Sequence, residues 1–153
     1  MANTYHQIKI QAVFAVKYRE SLILPHFEED LHNIVGSLIN ETGCKSMIVN
    51  GCADHIHCLF GLKPTVAISD LMKSVKAKSS KYINENLLTP HRFEWQSGYG
   101  AFSYNQNDVD EVYHYILNQK QHHQNILFND EYIDLLKTHL INFEEEYIFE
   151  EVL

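Results

Sequence analysis

Asp54-His-Ile-His-Cys-Leu-Phe60 is a short, largely apolar run in which His55 and His57 stand two positions apart. Side chains alternate across a β-strand, so a strand here directs both imidazoles to one face and the intervening apolar side chains to the other. Two neutral imidazoles on one rigid face are typical of half a metal site. Because 10 of the 153 residues are histidines, chance also produces this spacing easily, and the surrounding sequence has to decide.

Regular patterns flank this run on both sides. Period-2 alternation predicts strands, and apolar residues at helical spacing predict helices. The predicted order is strand 5–17 with one buried face, a helix between Pro25 and Gly43, strand 45–50, strand 55–62, a helix from Ile68 to about Asn86, strand 98–104, a helix capped by Asn107, and a helix at about 130–142.

This order indicates an α+β fold of the ferredoxin-like or RRM-like type, an antiparallel sheet with helices on one face, followed by a C-terminal helix that carries Tyr115. Such a sheet is expected to leave its other face free for a site. The length favours one domain, residues 1–153, with an acidic tail at about 143–153.

The three cysteines form no CxxC pair, which suits a reducing compartment. The first residues have no basic region leading into an apolar one, and no apolar run reaches membrane-spanning length, so we expect a cytoplasmic protein without membrane contact. Cys52 and Cys58 could join His55 and His57 in a zinc site, but Cys58 is expected on the opposite face of the strand.

The net charge of −8 is concentrated at one end. Residues 129–153 carry eight acids and one base, a net −7, which leaves −1 for residues 1–128. Within that body, four lysines fall in nine positions of the second predicted helix: Lys73, Lys76, Lys78 and Lys81. Lysines on a helix usually form a solvated face, but this cluster also makes a local positive field that suits phosphate contacts.

Tyr115 and Gln119 lie four residues apart in the third predicted helix and are therefore neighbours on its surface. The residues predicted to be buried along this helix are Val109, Val112, Tyr113, Ile116, His123 and Leu127. The Tyr115 hydroxyl and the Gln119 amide can enter one site together. The same spacing has a purely structural explanation, in which Tyr115 lies at the boundary of the core and Gln119 caps the helix.

Four ordered segments together resemble the single-tyrosine HUH transposases, small insertion-sequence enzymes that move DNA as single strands. They are Val16-Lys-Tyr-Arg19, Asp54-His-Ile-His-Cys-Leu-Phe60, Trp95-Gln-Ser-Gly-Tyr-Gly-Ala-Phe-Ser103 and Tyr115-Ile-Leu-Asn-Gln119 followed by His122-His123. The likeness runs from about residue 7 to residue 128, most of the chain.

By this resemblance His55 and His57 are metal ligands, Gln119 is the third ligand and Tyr115 is the nucleophile. The implied reaction cleaves and rejoins single-stranded DNA through a 5′-phosphotyrosine, with Mg²⁺ or Mn²⁺ as cofactor and without a nucleotide cofactor. Two imidazoles and an amide would ordinarily suggest zinc, iron or nickel, and of the family's two metals manganese is the better fit to nitrogen ligands.

The resemblance also implies a homodimer, in which the tyrosine helix of one subunit can serve the other, and DNA partners with hairpin ends. The candidate phosphate contacts are Lys73, Lys76, Lys78, Lys81, Lys17 and Arg19. Three alternatives stay open: a non-catalytic single-stranded nucleic-acid-binding module, a metal-dependent hydrolase with Asp54 as its base, and a domesticated family member acting on chromosomal repeat hairpins.

Overall fold

A computed structural model of the chain describes residues 3–144 and 148. Its main elements are β1 (Lys9–Ala15), α1 (Glu28–Glu41), β2 (Lys45–Cys52), β3 (His55–Gly61), α2 (Ile68–Glu85), β4 (Gly100–Tyr104), α3 (Val109–Leu117), α4 (Gln119–His122) and α5 (Phe128–Thr138). The order confirms the predicted α+β fold, and Gly43, with φ of 92°, follows the end of α1 in the left-handed conformation that glycine favours.

The four strands form one antiparallel sheet in the order β2-β3-β1-β4, as in the split βαβ arrangement. Strands β2 and β3 form a hairpin. Strand β3 lies in the interior of the sheet, where His57 is paired with Val13 of β1 and with Asn50 of β2. The strand that carries the two histidines is therefore hydrogen-bonded on both sides.

One face of the sheet packs against α1 and α2. The cluster contains the alternate residues of the two central strands together with the apolar stripes of the two helices. Its members include Ala12, Phe14, Ile56, Cys58 and Phe60 from the sheet and Leu31, Val35, Ile39, Leu71, Val75 and Ile83 from the helices. The residues buried on this face are those that the alternation along the strands and the helical apolar spacing predict to be buried.

The other face is covered, whereas the sequence predicted that it would be free. Helix α5 covers one part of it, where Phe128 packs with Val13 and Phe102, and α3 covers the part around Leu59. The strand β1 is thus buried on both faces rather than one. The reason is that this second face carries Val13 and Ala15 as well as polar residues, and their apolar surface needs a cover.

The predicted third helix is interrupted at Asn118, which has φ of −97° and ψ of 20° between α3 and α4. Leu127 is not buried: it is 74% exposed at the start of α5. A 3-10 turn, Gln106–Asp108, precedes α3, so Asn107 does not cap the helix. The fourth helix, α5, begins and ends earlier than predicted.

Part of the acidic tail lies within the described residues. Ile148 packs against the cluster around Phe102, and its carbonyl oxygen accepts a hydrogen bond from Gln96 Nε2 at 2.7 Å. From the sequence we also expect Tyr147 and Phe149 to dock on the body or on a partner subunit, but both lie outside the described residues. In the part of the chain that the structure describes, no helix is both long and apolar enough to cross a membrane.

Candidate metal and tyrosine site

His55 and His57 lie on the second face of the sheet and are fully buried, with 0% of each residue exposed. Their ring centroids are 5.2 Å apart, as alternation along a strand predicts. Gly51 of β2 is paired with Ile56 of β3 and has no side chain. A Cβ atom at this position would lie 2.1 Å from the His55 carbonyl oxygen, so glycine allows the two strands to approach closely here. The two imidazoles are thus carried by a tightly paired part of the sheet.

Each imidazole has a polar partner for its Nδ1 atom. His55 Nδ1 lies 2.7 Å from Asp54 Oδ1, and His57 Nδ1 lies 2.8 Å from Gln11 Nε2. Gln11 is itself fully buried, and its Oε1 accepts a hydrogen bond from the Tyr104 hydroxyl at 2.6 Å. These contacts fix the orientation of both rings and leave both Nε2 atoms facing the helices that cover the sheet.

The Nε2 atoms face two side chains from α4 and α5. Gln119 Oε1 lies 2.9 Å from His55 Nε2. Glu131 Oε1 lies 2.9 Å from His57 Nε2 and 3.7 Å from His55 Nε2. The structure therefore brings Gln119 to the histidine pair, as the sequence predicted, and adds a carboxylate that the sequence analysis did not single out.

Tyr115 reaches the same point from α3. Its hydroxyl donates a hydrogen bond to Glu131 Oε2, and its ring centroid is 6.0 Å from that of His57. Gln119 Nε2 donates to the same oxygen at 3.0 Å. The four residues that the sequence predicted to share a site do lie together, although a break between α3 and α4 separates Tyr115 from Gln119.

Glu131 carries the negative charge of this cluster. Burial raises the pKa of its carboxyl, but the close His123 imidazole and the hydrogen bonds from His57 and Tyr115 outweigh burial, and the resulting pKa is well below the usual range. Burial, followed by the Glu131 charge, raises the pKa of Tyr115 above its ordinary value of 10.0. At neutral pH the carboxyl is therefore ionised and the phenol is protonated.

The pKa values of the histidines around Glu131 are shifted in opposite directions. Burial lowers the pKa of His57 to about 4, although the Glu131 hydrogen bond raises it in part. His123 Nε2 lies 3.0 Å from Glu131 Oε1, and this contact outweighs burial and raises the pKa of His123. His57 is thus neutral at pH 7. With Gln11 Nε2 donating to its Nδ1, the single proton lies on Nε2 and faces Glu131, so ligation of a metal through Nε2 requires the Gln11 amide to turn its oxygen to Nδ1.

The donor atoms around His55 fit a divalent cation. With a proton on Nδ1 for Asp54, His55 presents a lone pair at Nε2 to the carbonyl oxygen of Gln119, only 2.9 Å away. An imidazole with acceptor oxygens at both nitrogens needs either a second proton or a metal ion. His55, His57 and Glu131 moreover place one ligand atom each within 4.8 Å of the others, so the structure contains a His/Glu arrangement able to hold a metal.

The tyrosine is reachable from outside through a groove between α3 and the segment after α4. The groove has a volume of about 490 Å³. Its lining is rich in amides and imidazoles: Glu111, His114, Tyr115, Asn118, Gln121, His122, Asn125 and Ile126. A polar strand can therefore approach Tyr115 even though the histidine pair is buried.

The candidate phosphate contacts lie apart from this site and differ among themselves. Lys73, Lys78 and Lys81 are exposed on α2. Lys76 instead donates hydrogen bonds to the carbonyl oxygens of Gln96 at 2.6 Å and Gly98 at 2.7 Å. Lys76 thus holds the 96–98 segment, and burial lowers its pKa.

The two remaining candidates lie after β1. Lys17 pairs with Glu94 at 3.4 Å, and Arg19 is half-buried. Neither lies among the residues that contact Glu131. The structure therefore groups the metal and tyrosine candidates but does not bring the basic residues to them.

Two residues of the cluster were missed by sequence reasoning. Glu131 was counted among the acids of the C-terminal region, yet it is only 3% exposed. A signal existed: Glu131 stands three residues after Phe128 and five before Leu136, on the stripe of α5 that faces the sheet. His123 was expected to be buried on a continuous helix, but it approaches Glu131 from the turn after α4.

The structure separates the two cysteines considered for a zinc site. Cys58 belongs to the core on the opposite face of the sheet, as predicted. Cys52, His55 and His123 do place ligand atoms within 4.8 Å of one another. Burial, with the charge of Asp54, raises the pKa of Cys52 to about 11, which disfavours the thiolate that zinc binding requires.

Sequence comparison relates the chain to known transposases. A sequence model of the IS200-like transposases matches residues 4–119, more than half of the chain. The ISDra2 transposase TnpA of Deinococcus radiodurans is 22% identical over 121 residues, which cover 74% of this chain and 85% of that protein. The transposase for insertion sequence element IS200 of Salmonella typhimurium is 31% identical over 85 residues, and the chain spans 56% of its length.

Solved structures share the fold. A protein of Deinococcus radiodurans assigned as a transposase superposes with a TM-score of 0.62 at 21% identity, over 78% of this chain and 95% of that one. A REP-associated tyrosine transposase bound to a REP hairpin gives a TM-score of 0.61 at 12% identity, over 100% of this chain and 93% of that one. These likenesses support the fold, and the match to the family sequence model shows that the chain belongs to the IS200-like transposase family.

Proposed function

We propose that this protein cleaves and rejoins single-stranded DNA, with Tyr115 as the nucleophile that forms a 5′-phosphotyrosine intermediate. The observation that carries the proposal is the convergence of the Tyr115 hydroxyl, the His55 and His57 imidazoles and the Gln119 amide within one buried cluster. A core tyrosine beside a capping glutamine would not require two buried histidines on the facing strand.

The residues suit a transesterification. The Tyr115 phenol gives up its proton as its oxygen forms a bond to phosphorus. The bond from phosphorus to the 3′ oxygen breaks, and that leaving oxygen takes up a proton to give a free 3′-hydroxyl. Because one phosphoester replaces another, the reverse step rejoins strands without ATP. Tyr115 is positioned for this by its hydrogen bond to Glu131 and by the groove that opens to it.

We propose that His55, His57 and Gln119 hold a divalent cation, Mg²⁺ or Mn²⁺, through His55 Nε2, His57 Nε2 and Gln119 Oε1. When bound, the cation supplies the Lewis acidity that polarises a non-bridging oxygen of the scissile phosphate. Asp54 and Gln11 keep the two rings aimed at this point, through their contacts with the Nδ1 atoms.

The proposed substrate is single-stranded DNA with a hairpin. Support comes from the REP-associated tyrosine transposase, which shares this fold and was solved bound to a REP hairpin. The exposed lysines of α2 are the proposed phosphate contacts. Such contacts position DNA without choosing its sequence, so the identity of the hairpin depends on other groups.

Incubation with Mn²⁺ and a hairpin-bearing DNA strand labelled on the 3′ side of the scissile phosphate tests the proposal. The DNA comes from the sequence flanking the gene. We expect a labelled protein band that survives denaturation, and its complete loss in Tyr115→Phe. Tyr113→Phe, on the same helix, is the matched control and should keep the band.

The other outcomes separate the alternatives. Cleavage without a protein adduct would support a hydrolase that activates water. Binding without cleavage would support a nucleic-acid-binding module. An adduct that persists in Tyr115→Phe would show that another residue is the nucleophile.

A further inference from the structure

Glu131 stands where a ligand of the proposed cation would stand. It comes from α5, beyond the segment that matches the family sequence model, and it is almost completely buried. A buried carboxylate needs partners that compensate its charge. Here the partners are the imidazoles of His57 and His123, the Gln119 amide and the Tyr115 hydroxyl.

The two carboxylate oxygens have different surroundings. Oε1 faces the histidine pair, at 2.9 Å from His57 Nε2 and 3.7 Å from His55 Nε2. Oε2 accepts hydrogen bonds from Tyr115 and Gln119. One oxygen is thus turned to the place of the cation, and the other is turned to the nucleophile.

The distances between donor atoms agree with ligands of one cation. Neighbouring ligands of an octahedral cation held at about 2.1 Å lie about 3 Å apart. The pair His55 Nε2 and Gln119 Oε1 and the pair His57 Nε2 and Glu131 Oε1 are each 2.9 Å apart. These four atoms come from β3, α4 and α5, and those of His55, His57 and Glu131 lie within 4.8 Å of one another.

We infer that Glu131 is a further ligand of the divalent cation, through Oε1, and that it adapts this site to Mg²⁺ or Mn²⁺; the inference rests on the proposed function. Two imidazoles and one amide form a nitrogen-rich set that favours zinc, iron or nickel. A carboxylate is the donor that Mg²⁺ and Mn²⁺ prefer. Glu131 therefore removes the mismatch between the predicted donor set and the expected metal.

Titration of the purified, metal-free protein with Mn²⁺, without DNA, tests this role. Calorimetry, with electron paramagnetic resonance of the unbound Mn²⁺, gives the affinity of each variant. We expect Glu131→Gln to weaken Mn²⁺ binding at least tenfold and Ni²⁺ binding less, because the amide keeps the shape and loses the charged oxygen. Asp134→Asn, an exposed acid on the same helix, is the matched control and should bind as the wild type does.

The results distinguish this inference from the proposed function. Unchanged Mn²⁺ affinity in folded Glu131→Gln would overturn the role of Glu131 as a ligand. The histidine site would still stand if His57→Ala lost Mn²⁺ binding. If neither the wild type nor His57→Ala bound Mn²⁺, the proposed metal site itself would be refuted. If Glu131→Gln does not fold, Glu131→Asp is used instead, because it keeps the charge but moves the carboxylate oxygen away from the site. A tenfold loss of Mn²⁺ affinity in Glu131→Asp supports the ligand role of Glu131, and an affinity equal to that of the wild type overturns it.

Discussion

His32 is a partly buried histidine on α1 whose titration should affect stability. Burial lowers its pKa from 6.5 to about 4, while Glu28 raises it and Lys120 lowers it to a smaller extent. The folded state therefore holds the neutral ring, and the unfolded chain binds the proton more readily. We expect the free energy of unfolding to fall as the pH decreases from about 6.5 to about 4, by up to about 3 kcal/mol from this residue.

Chemical denaturation at several pH values between 7 and 4 measures this effect. His57, whose pKa is also lowered to about 4, adds a slope of the same sign. The informative quantity is therefore the difference between the wild type and His32→Gln, which lacks the titrating ring. An equal loss of stability in both proteins would show that His32 does not titrate in this range.

Residue-scale prediction succeeds where the signal is local. His55 and His57 lie within one strand, and Tyr115 and Gln119 lie four residues apart across the short break between α3 and α4, so local spacing places each pair. Glu131 lies 74 residues beyond His57, and their contact depends on how α5 docks. The sequence shows that α5 is amphipathic, but periodicity alone does not say which strand it meets.

At the scale of elements, the interruption between α3 and α4 shapes the site. One continuous helix was predicted because the apolar spacing runs past Asn118 with little change. The structure instead ends α3 at Leu117 and turns the chain after His122, so that α5 folds back over the histidine pair.

The helix α2 presents two kinds of lysine, and they should respond differently to substitution. Lys73, Lys78 and Lys81 are exposed, so their ammonium groups can reach phosphates. We expect the triple substitution of these three lysines by glutamine to weaken hairpin binding. The slope of log affinity against log salt concentration should also become shallower by about 0.7 for each lost contact with single-stranded DNA. Binding measured across a range of salt concentrations checks this.

Lys76→Gln provides the contrast on the same helix. Its ammonium group holds the carbonyl oxygens of Gln96 and Gly98, so its replacement should lower the midpoint of thermal unfolding and leave the salt slope near that of the wild type. A triple variant whose salt slope equals that of the wild type would show that α2 is a solvated face and not a DNA contact.

At the scale of the whole molecule, both faces of the sheet are used. The helices α1 and α2 form the larger core on one face, and the later helices seal the candidate site on the other. The βαββαβ order was predictable because each element carries a period that can be recognised. The helices that cover the second face were not predictable, since Val13 and Ala15 alone are too few apolar residues to indicate a second core.

A consequence of this closure is that one chain contains all parts of the candidate site. Tyr115 contacts Glu131 of the same chain, and the histidine pair lies beneath both. We therefore predict that Tyr115 acts on the site of its own chain, whereas the family resemblance left exchange between subunits open. Mixing two inactive variants tests this: His57→Ala retains the tyrosine, and Tyr115→Phe retains the histidines.

If each chain is complete in itself, the mixture forms no covalent DNA adduct, even after joint unfolding and refolding allows mixed assemblies. If the tyrosine helix serves a partner, the adduct appears on the His57→Ala chain, which a size tag identifies. Wild type mixed with Tyr115→Phe is the positive control, and its adduct must lie on the wild-type chain. An adduct on the tagged His57→Ala chain would refute action within one chain, because that chain has lost a proposed metal ligand and could react only at another chain's histidines.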